Sequence, residues 1–363
     1  MEVETRRDLY NLMELKMKKS YEKLKEEKKL EYEENLLKTY VIETSLESVH
    51  SMPKVGNFEI DIEKTKDKTL YIMKVYEGKR PHSVFYLDAS DERFWILHTL
   101  SKSEKTDRFM NKIIFSISNN LDFLWFDSRF LEDISKNEIF RGFSLKFEEK
   151  IRETGDIHVK TLSMKLWGDA ASRILETLRK DDILRYSTAL SGIGIKRIFN
   201  GGEDFVIEDV TFNGKFTARG TTVDGHLYMI RKFLKKYKEK LSSIEDRSIE
   251  YESSDFGYRI KGCPLIIKFS KSVEDIERLL DSLLSSTRPF RLWGLKKEIN
   301  KGFYKILGVD LHTGDKLTME ASPEWLRIYL PRNSCGNTVL RLLTNIQQHF
   351  DSGAELVIED ETI

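Results

Sequence analysis

Acidic side chains beside a lysine or a histidine are the residues of this chain best suited to chemistry. Two carboxylates can hold a hard divalent ion while a neighbouring base moves a proton. Asp61 falls on one expected hairpin strand, and Glu77-Gly78-Lys79 closes the next. That layout suits Mg²⁺ held by the two acids, with Lys79 orienting a water for phosphodiester cleavage. It equally suits two solvated turn ends. Asp88-Ala89-Ser90-Asp91-Glu92, followed by Trp95 and His98, offers a second set of metal ligands, centred on Asp88 and Asp91, or an acid-base pair. A strand-to-helix turn capped by Ser90 or Asp91 uses the same residue types.

Anion binding is the other chemistry in view. Arg219-Gly220-Thr221-Thr222-Val223-Asp224-Gly225-His226 reads as a strand-to-helix junction. Free amides at a helix start favour phosphate, and Arg219 with Thr221 can complete such a pocket. The glycine spacing of a phosphate-binding P-loop is absent, and Thr222 or Asp224 as a plain N-cap fits the same letters. The helix that follows carries Arg231, Lys232, Lys235, Lys236, Lys238 and Lys240 against an apolar set that includes Phe233 and Tyr237. Such a helix either tracks a phosphate backbone or presents the solvated side of a core element. Trp167, Trp293 and Trp325, with Phe143, Phe216, Phe290 and Phe303, fall on expected strands. Pointing inward they are core; pointing outward from an open sheet they make a stacking surface.

The elements that must position these residues follow from periodicity. Residues 4–40 lack Gly and Pro and are rich in Lys, Glu, Leu and Met, which predicts one long helix within a segment 1–45. Leu9, Met13, Met17, Tyr21 and Leu24 form its apolar stripe, which either docks on its own domain or pairs with a second copy of the chain. Residues 46–155 read as an α+β domain. It starts with a hairpin of strands 58–62 and 70–75, then a strand 83–88 and a helix 106–116, and ends on short elements up to 147. Residues 156–245 give the order β-α-β-β-β-α, with the hairpin signal Asn213-Gly214 between two strands. Residues 246–363 give β-α-β-β-β-β-α and an acidic tail. Apart from one extra strand the two orders agree, which predicts an internal duplication.

The order of strand, helix, four antiparallel strands and closing helix resembles one half of the TATA-box-binding-protein fold. The resemblance is one of topology, carries no residue motif, and implies an exposed sheet of the kind that lies on a minor groove. A similar order occurs in helix-grip folds, which hold apolar small molecules under their long helix.

Composition sets the outer limits. Sixty basic and sixty acidic residues among 363 cancel, which excludes a uniformly basic polyanion coat and leaves room for one local basic face. Two cysteines cannot build a disulfide framework and fit a reducing compartment. No apolar run reaches the roughly 18 residues of a membrane span, so a cytoplasmic protein is expected. The resulting expectation is an α+β binding or scaffold protein that engages nucleic acid or a protein partner through an open sheet and the basic helix, with no cofactor. The alternatives are an Mg²⁺-dependent nuclease at the acids named above and a helix-grip small-molecule protein.

Overall fold

The computed structural model describes residues 3–27, 36–116, 120–149, 160–254, 257–358 and 361–362. Two compact units divide the chain. Unit 1 comprises Met1–Leu124, Ile134–Arg141 and Ile193–Phe233; unit 2 comprises Trp125–Asp133, Gly142–Gly192 and Leu234–Ile363. Both are built from helices and antiparallel sheet, so the chain is of the α+β class.

Helix α1 (Arg6–Glu27) opens the chain. The Asp8 carboxylate accepts from the Thr5 amide at 2.9 Å and so ties down its first turn. Leu9, Met13 and Met17 are buried, covered by the sheet of their own unit. The expected helix does not reach residue 40, because Leu37–Thr44 is strand β1, buried along its whole length. Thr39, Tyr40, Val41 and Ile42 are β-branched or aromatic, and such side chains pack better on a pleated surface than on a helix. Residues 28–35, the rest of that expected helix, lie outside the described residues.

Strands β2 (Phe58–Lys64), β3 (Leu70–Glu77), β4 (Arg80–Asp88) and β5 (Phe94–Thr99) come next, followed by α2 (Ser103–Ile114) and β6 (Leu121–Phe123). After them come α3 (Ser128–Ser135), β7 (Ile139–Glu148), β8 (Thr161–Trp167), α4 (Ala171–Lys180) and β9 (Leu190–Phe199). Then follow β10 (Asp204–Thr211), β11 (Lys215–Gly220) and α5 (Val223–Glu245). Asn213-Gly214 makes the predicted hairpin turn between β10 and β11. At Gly214 φ is 70°, and a Cβ there would lie 3.0 Å from the Val41 carbonyl, so both conformation and space call for glycine.

Within unit 1 the strand order is β2-β3-β4-β5-β1-β11-β10-β9, and β6 also pairs with β1. Side chains alternate across β1. Tyr40 points to the face under α2, where its hydroxyl donates to Asp107 at 2.5 Å. Thr39 points to the opposite face, which α1 and α5 cover. There Phe216 meets Phe233 of α5 at 5.1 Å between ring centroids, and Arg6 of α1 binds Asp88.

The remaining elements are β12 (Glu250–Ser254), β13 (Gly257–Lys261), β14 (Leu265–Lys268) and α6 (Ile276–Leu283), then β15 (Leu292–Asn300), β16 (Phe303–Asp310), β17 (Lys316–Ser322) and β18 (Trp325–Tyr329). The last are α7 (Asn337–His349), β19 (Glu355–Ile358) and β20 (Glu361–Thr362). In unit 2, β7 pairs with β8 and β12 with β13. A seven-stranded sheet runs β15-β16-β17-β18-β14-β19-β20.

Helix α7 is buried nearly all round, polar positions included. Gln347 accepts from the Ser128 amide at 3.0 Å, and Gln348 donates to the Leu190 carbonyl at 2.9 Å. At the start of the helix the Tyr237 hydroxyl donates to Asn337 and accepts from the Trp125 amide. These bonds let amide side chains lie inside without leaving a donor or acceptor stranded.

Sheet order does not confirm a duplication between residues 156–245 and 246–363. The second run carries extra strands, β12 and β13 before β14, a fourth strand after α6, and β19 and β20 after α7, and the opening strands pair differently, β8 with β7 and β14 with β18. A different pair of runs shares its strand order. In unit 1 the run begins at β1, sets down β2 to β5 with β5 against β1, adds α2, and returns with β6 along β1. In unit 2 it begins at β14, sets down β15 to β18 with β18 against β14, adds α7, and returns with β19 along β14.

Candidate functional site

The acids expected to hold a metal ion are not gathered into a ligand set. Asp61 is exposed and registers with Lys74, whereas Glu77 registers with Phe58. These pairs lie three residues apart on β2, about 10 Å along the strand, and the odd offset turns the two carboxylates to opposite faces. Arg108 donates to Glu77 at 2.6 Å. Asp88 is held by Arg6, whose Nη2 and Nε lie 2.6 and 3.2 Å from its two oxygens. Asp91 accepts the Arg93 and Phe94 amides, each at 3.0 Å, and the turn it caps leads into strand β5 rather than a helix. Among the described residues no group of three or more His, Cys, Asp or Glu side chains is placed to hold a metal ion.

At the junction before α5, Arg219 donates to Asp209 at 2.6 Å and is largely buried. The Thr221 hydroxyl donates to Asp204 and accepts from the Phe205 amide, each at 3.0 Å. Both groups expected to meet phosphate are thus engaged within unit 1. Along the helix, Lys232 is paired with Glu138, and Lys240 is buried against Asp127 at 2.6 Å. Arg231 and Lys235 are exposed, Lys236 is half-buried, and Lys235 reaches Glu239 only at 4.0 Å.

Among the described residues, exposed large apolar side chains gather on one sheet of unit 2. Helices α6 and α7 take one face of its seven-stranded sheet: Lys296 pairs with Asp281 of α6, and Arg341 of α7 pairs with Asp310. The opposite face is open along β15 and β16, where Trp293, Leu295 and Leu307 are 49%, 67% and 59% exposed. Register places these side chains in rows across the strands. Trp293 lies beside Val309 and Lys316, and Leu295 beside Leu307, Thr318 and Tyr329. Lys297 lies beside Lys305, Glu320, Arg327 and Ile266. Phe303 meets Trp325 at 6.1 Å, and the Arg327 guanidinium sits 4.5 Å over the Trp325 ring. Five cations (Lys268, Lys297, Lys305, Lys316 and Arg327) share this face with two acids, Glu320 and Glu355. Aromatic rings, apolar side chains and positive charge therefore stand together on one sheet face.

Unit 1 contains a polar cluster of another kind, closed off from solvent. The Thr39 hydroxyl on β1 lies 2.8 Å from His98 Nδ1 on β5 and 2.8 Å from His226 Nε2 on α5. His226 Nδ1 lies 2.6 Å from Glu208 Oε1 on β10. Thr39, His226 and Glu208 are fully buried, and His98 nearly so. Burial and the neighbouring His226 ring push the His98 imidazole down to about 3, with Asp88 opposing. Burial also raises the Glu208 carboxyl, against the pull of His226. Sequence reasoning names His98 and His226 without a shared role and misses Thr39 and Glu208. Thr39 is hidden in the expected long helix. Glu208 carries a signal only in the alternation of β10, where it is a lone acid on the inward side between Val206 and Val210.

Among the described residues no helix is long and apolar enough to cross a membrane. No solved structure matches the chain, and the expected resemblance to TATA-box-binding-protein halves is not confirmed. The chain is 34% identical over 398 residues to the protein MJECL33 of Methanocaldococcus jannaschii, an alignment covering 99% of this chain and 95% of that one. The profile of the MJECL33-like proteins matches residues 1–363, and with a relative this similar along nearly its full length, the chain belongs to the MJECL33-like protein family.

Proposed function

We propose that the chain is a non-catalytic nucleic-acid-binding protein that takes single-stranded nucleic acid on the open face of the unit 2 sheet. The observation that carries this reading is the register of Trp293, Leu295 and Leu307 with Lys297, Lys305 and Lys316. Bases stack on aromatic and apolar side chains while lysines a strand or two away meet phosphates. Strands lie about 4.8 Å apart, so the sheet face presents ring and cation at a spacing a splayed single strand can follow. An excess of positive charge on this face complements a polyanion, although the chain as a whole is neutral. Two observations weigh against the other readings. The acids of the nuclease reading face apart, and under α7, where a helix-grip ligand would sit, lies the buried Arg341–Asp310 ion pair.

Fluorescence anisotropy with labelled dodecamers of thymidine and uridine, and with a duplex of equal length, tests the proposal. The single strands are expected to bind more tightly than the duplex and to quench tryptophan emission. Trp293→Ala removes a stacking platform worth about 1–3 kcal/mol, which corresponds to about 5- to 150-fold weaker binding. Lys297→Ala with Lys305→Ala is expected to lower the slope of log K against log salt by about 1.4, at about 0.7 per phosphate contact. Binding that ignores salt, or that Trp293→Ala leaves unchanged, refutes the assignment.

A further inference from the structure

We propose that Glu208, His226, Thr39 and His98 form one buried proton relay, which takes up a single proton and stores it on Glu208 while both histidines exchange tautomers. The three hydrogen bonds of the chain run unbroken from carboxyl to imidazole to hydroxyl to imidazole. Each link has two directions, and a hydroxyl can donate only once, so the directions of all three are coupled.

In the unprotonated chain His226 Nδ1–H donates to the Glu208 carboxylate, and the Thr39 hydroxyl donates to His226 Nε2. His98 Nδ1–H donates to Thr39, which leaves His98 Nε2 bare. A proton arriving at His98 Nε2 lets the Nδ1 proton pass to Thr39, the Thr39 proton pass to His226 Nε2, and the His226 Nδ1 proton pass to Glu208. One proton enters, three move along, and the product is a neutral acid with two neutral imidazoles. Every bond of the chain is kept with its direction reversed.

Glu208 Oε2 carries the assignment of the stored proton. That oxygen is buried and has no hydrogen-bond partner among the described residues. A carboxylate there would keep half its charge unsolvated, whereas in a neutral carboxyl that oxygen is only a carbonyl. The burial that raises Glu208 and lowers His98 acts in the same sense. The other charged groups acting on the relay are Asp209 of β10, Arg219 of β11 and Asp88 of β4. Arg219 is already bound to Asp209 and Arg6 of α1 to Asp88, so neither cation reaches Glu208 as a hydrogen-bond donor.

Long-range ¹H–¹⁵N spectra of the full chain labelled at histidine test the relay. His98→Gln and His226→Gln variants assign the two rings. As pH falls, both rings are expected to pass from the Nδ1–H to the Nε2–H tautomer at one shared midpoint, with neither showing an imidazolium signature. In Glu208→Gln the exchange disappears in both rings. In Thr39→Val, a near-isosteric change, His226 keeps it and His98 loses it, so the link is tested even if the Glu208→Gln variant does not fold. Either ring becoming imidazolium at that midpoint, different midpoints for the two rings, or no exchange over the folded pH range overturns the proposal.

Discussion

Arg341→Met is expected to destabilise the chain by about 3–5 kcal/mol, the usual cost of removing one partner from a buried ion pair. Arg341 is 1% exposed and Asp310 0%, and they are joined directly by a charge-assisted hydrogen bond. Burial alone would raise the Asp310 carboxyl. The Arg341 guanidinium, the Thr338 hydroxyl and the His312 amide overcome that and hold it at about 2. Without Arg341 the carboxylate loses the charge that compensates its desolvation, and it must ionise unpaired or bind a proton. Because its folded value is depressed, the stability contributed by Asp310 is present above the unfolded value near 4 and is lost as pH falls toward 2. Urea denaturation at pH 7 measures the loss. The double change Arg341→Met with Asp310→Leu is expected to recover most of it, since an apolar pair of similar volume carries no desolvation cost. A loss below about 1 kcal/mol for Arg341→Met would show that the pair is not insulated from water.

Acid sensitivity centred on His98 is the second large effect. Its value falls from an ordinary 6.5 to about 3 in the folded chain, so the unfolded state binds the proton more readily. Stability from this group is therefore complete above pH 6.5 and falls by about 1.4 kcal/mol per unit as pH drops toward 3. By pH 5 the loss is about 2 kcal/mol. Glu208, which is raised, acts in the other direction: its contribution is present at low pH and is lost as pH rises through its folded value. Comparing the wild type with His98→Gln at pH 7 and pH 5, each in the Glu208→Gln background so that the coupled carboxyl does not titrate, cancels the remaining groups. The chain that keeps His98 is expected to lose about 2 kcal/mol more than the one without it between those conditions. Equal losses in the two chains would mean that His98 is hydrated in the folded state.

Local signals in the sequence carry most of the elements. Asn213-Gly214 marks its hairpin, the pairing of strands 58–62 and 70–75 as a hairpin follows from their alternation and the charged turn between them, and α5 follows from its period. Strand β1 does not, because the Lys- and Glu-rich letters before it favour helix so strongly that the change at Leu37 is absorbed into the same segment. Strand β5 escapes for a related reason: Asp88 to Glu92 suits a helix start as well as a hairpin turn, and only pairing of Trp95 to His98 with β1 decides between them. The open face of unit 2 is legible only as a condition. Leu292 and Trp293 are adjacent and both apolar, so alternation alone does not say which side the helices cover. The relay is illegible for the simplest reason. Its four members come from four elements, with Thr39 and His226 lying 187 positions apart, and no spacing rule spans that separation.

The strand order shared by the two units has a consequence for how their surfaces are used. In each, the helix after the fifth strand takes one face of the sheet: α2 in unit 1 and α7 in unit 2. The other face is bare along β15 and β16 in unit 2, whereas in unit 1 α1 and α5 roof it. The same architectural position thus serves as exterior in one unit and as interior in the other. That difference is what allows His98 and Glu208 to sit in the dry in unit 1 while Trp293 and Lys297 meet solvent in unit 2. Stripping α1 from unit 1 would bare the part of that face it covers on β1 and β11, while α5, which carries His226, would stay over Thr39.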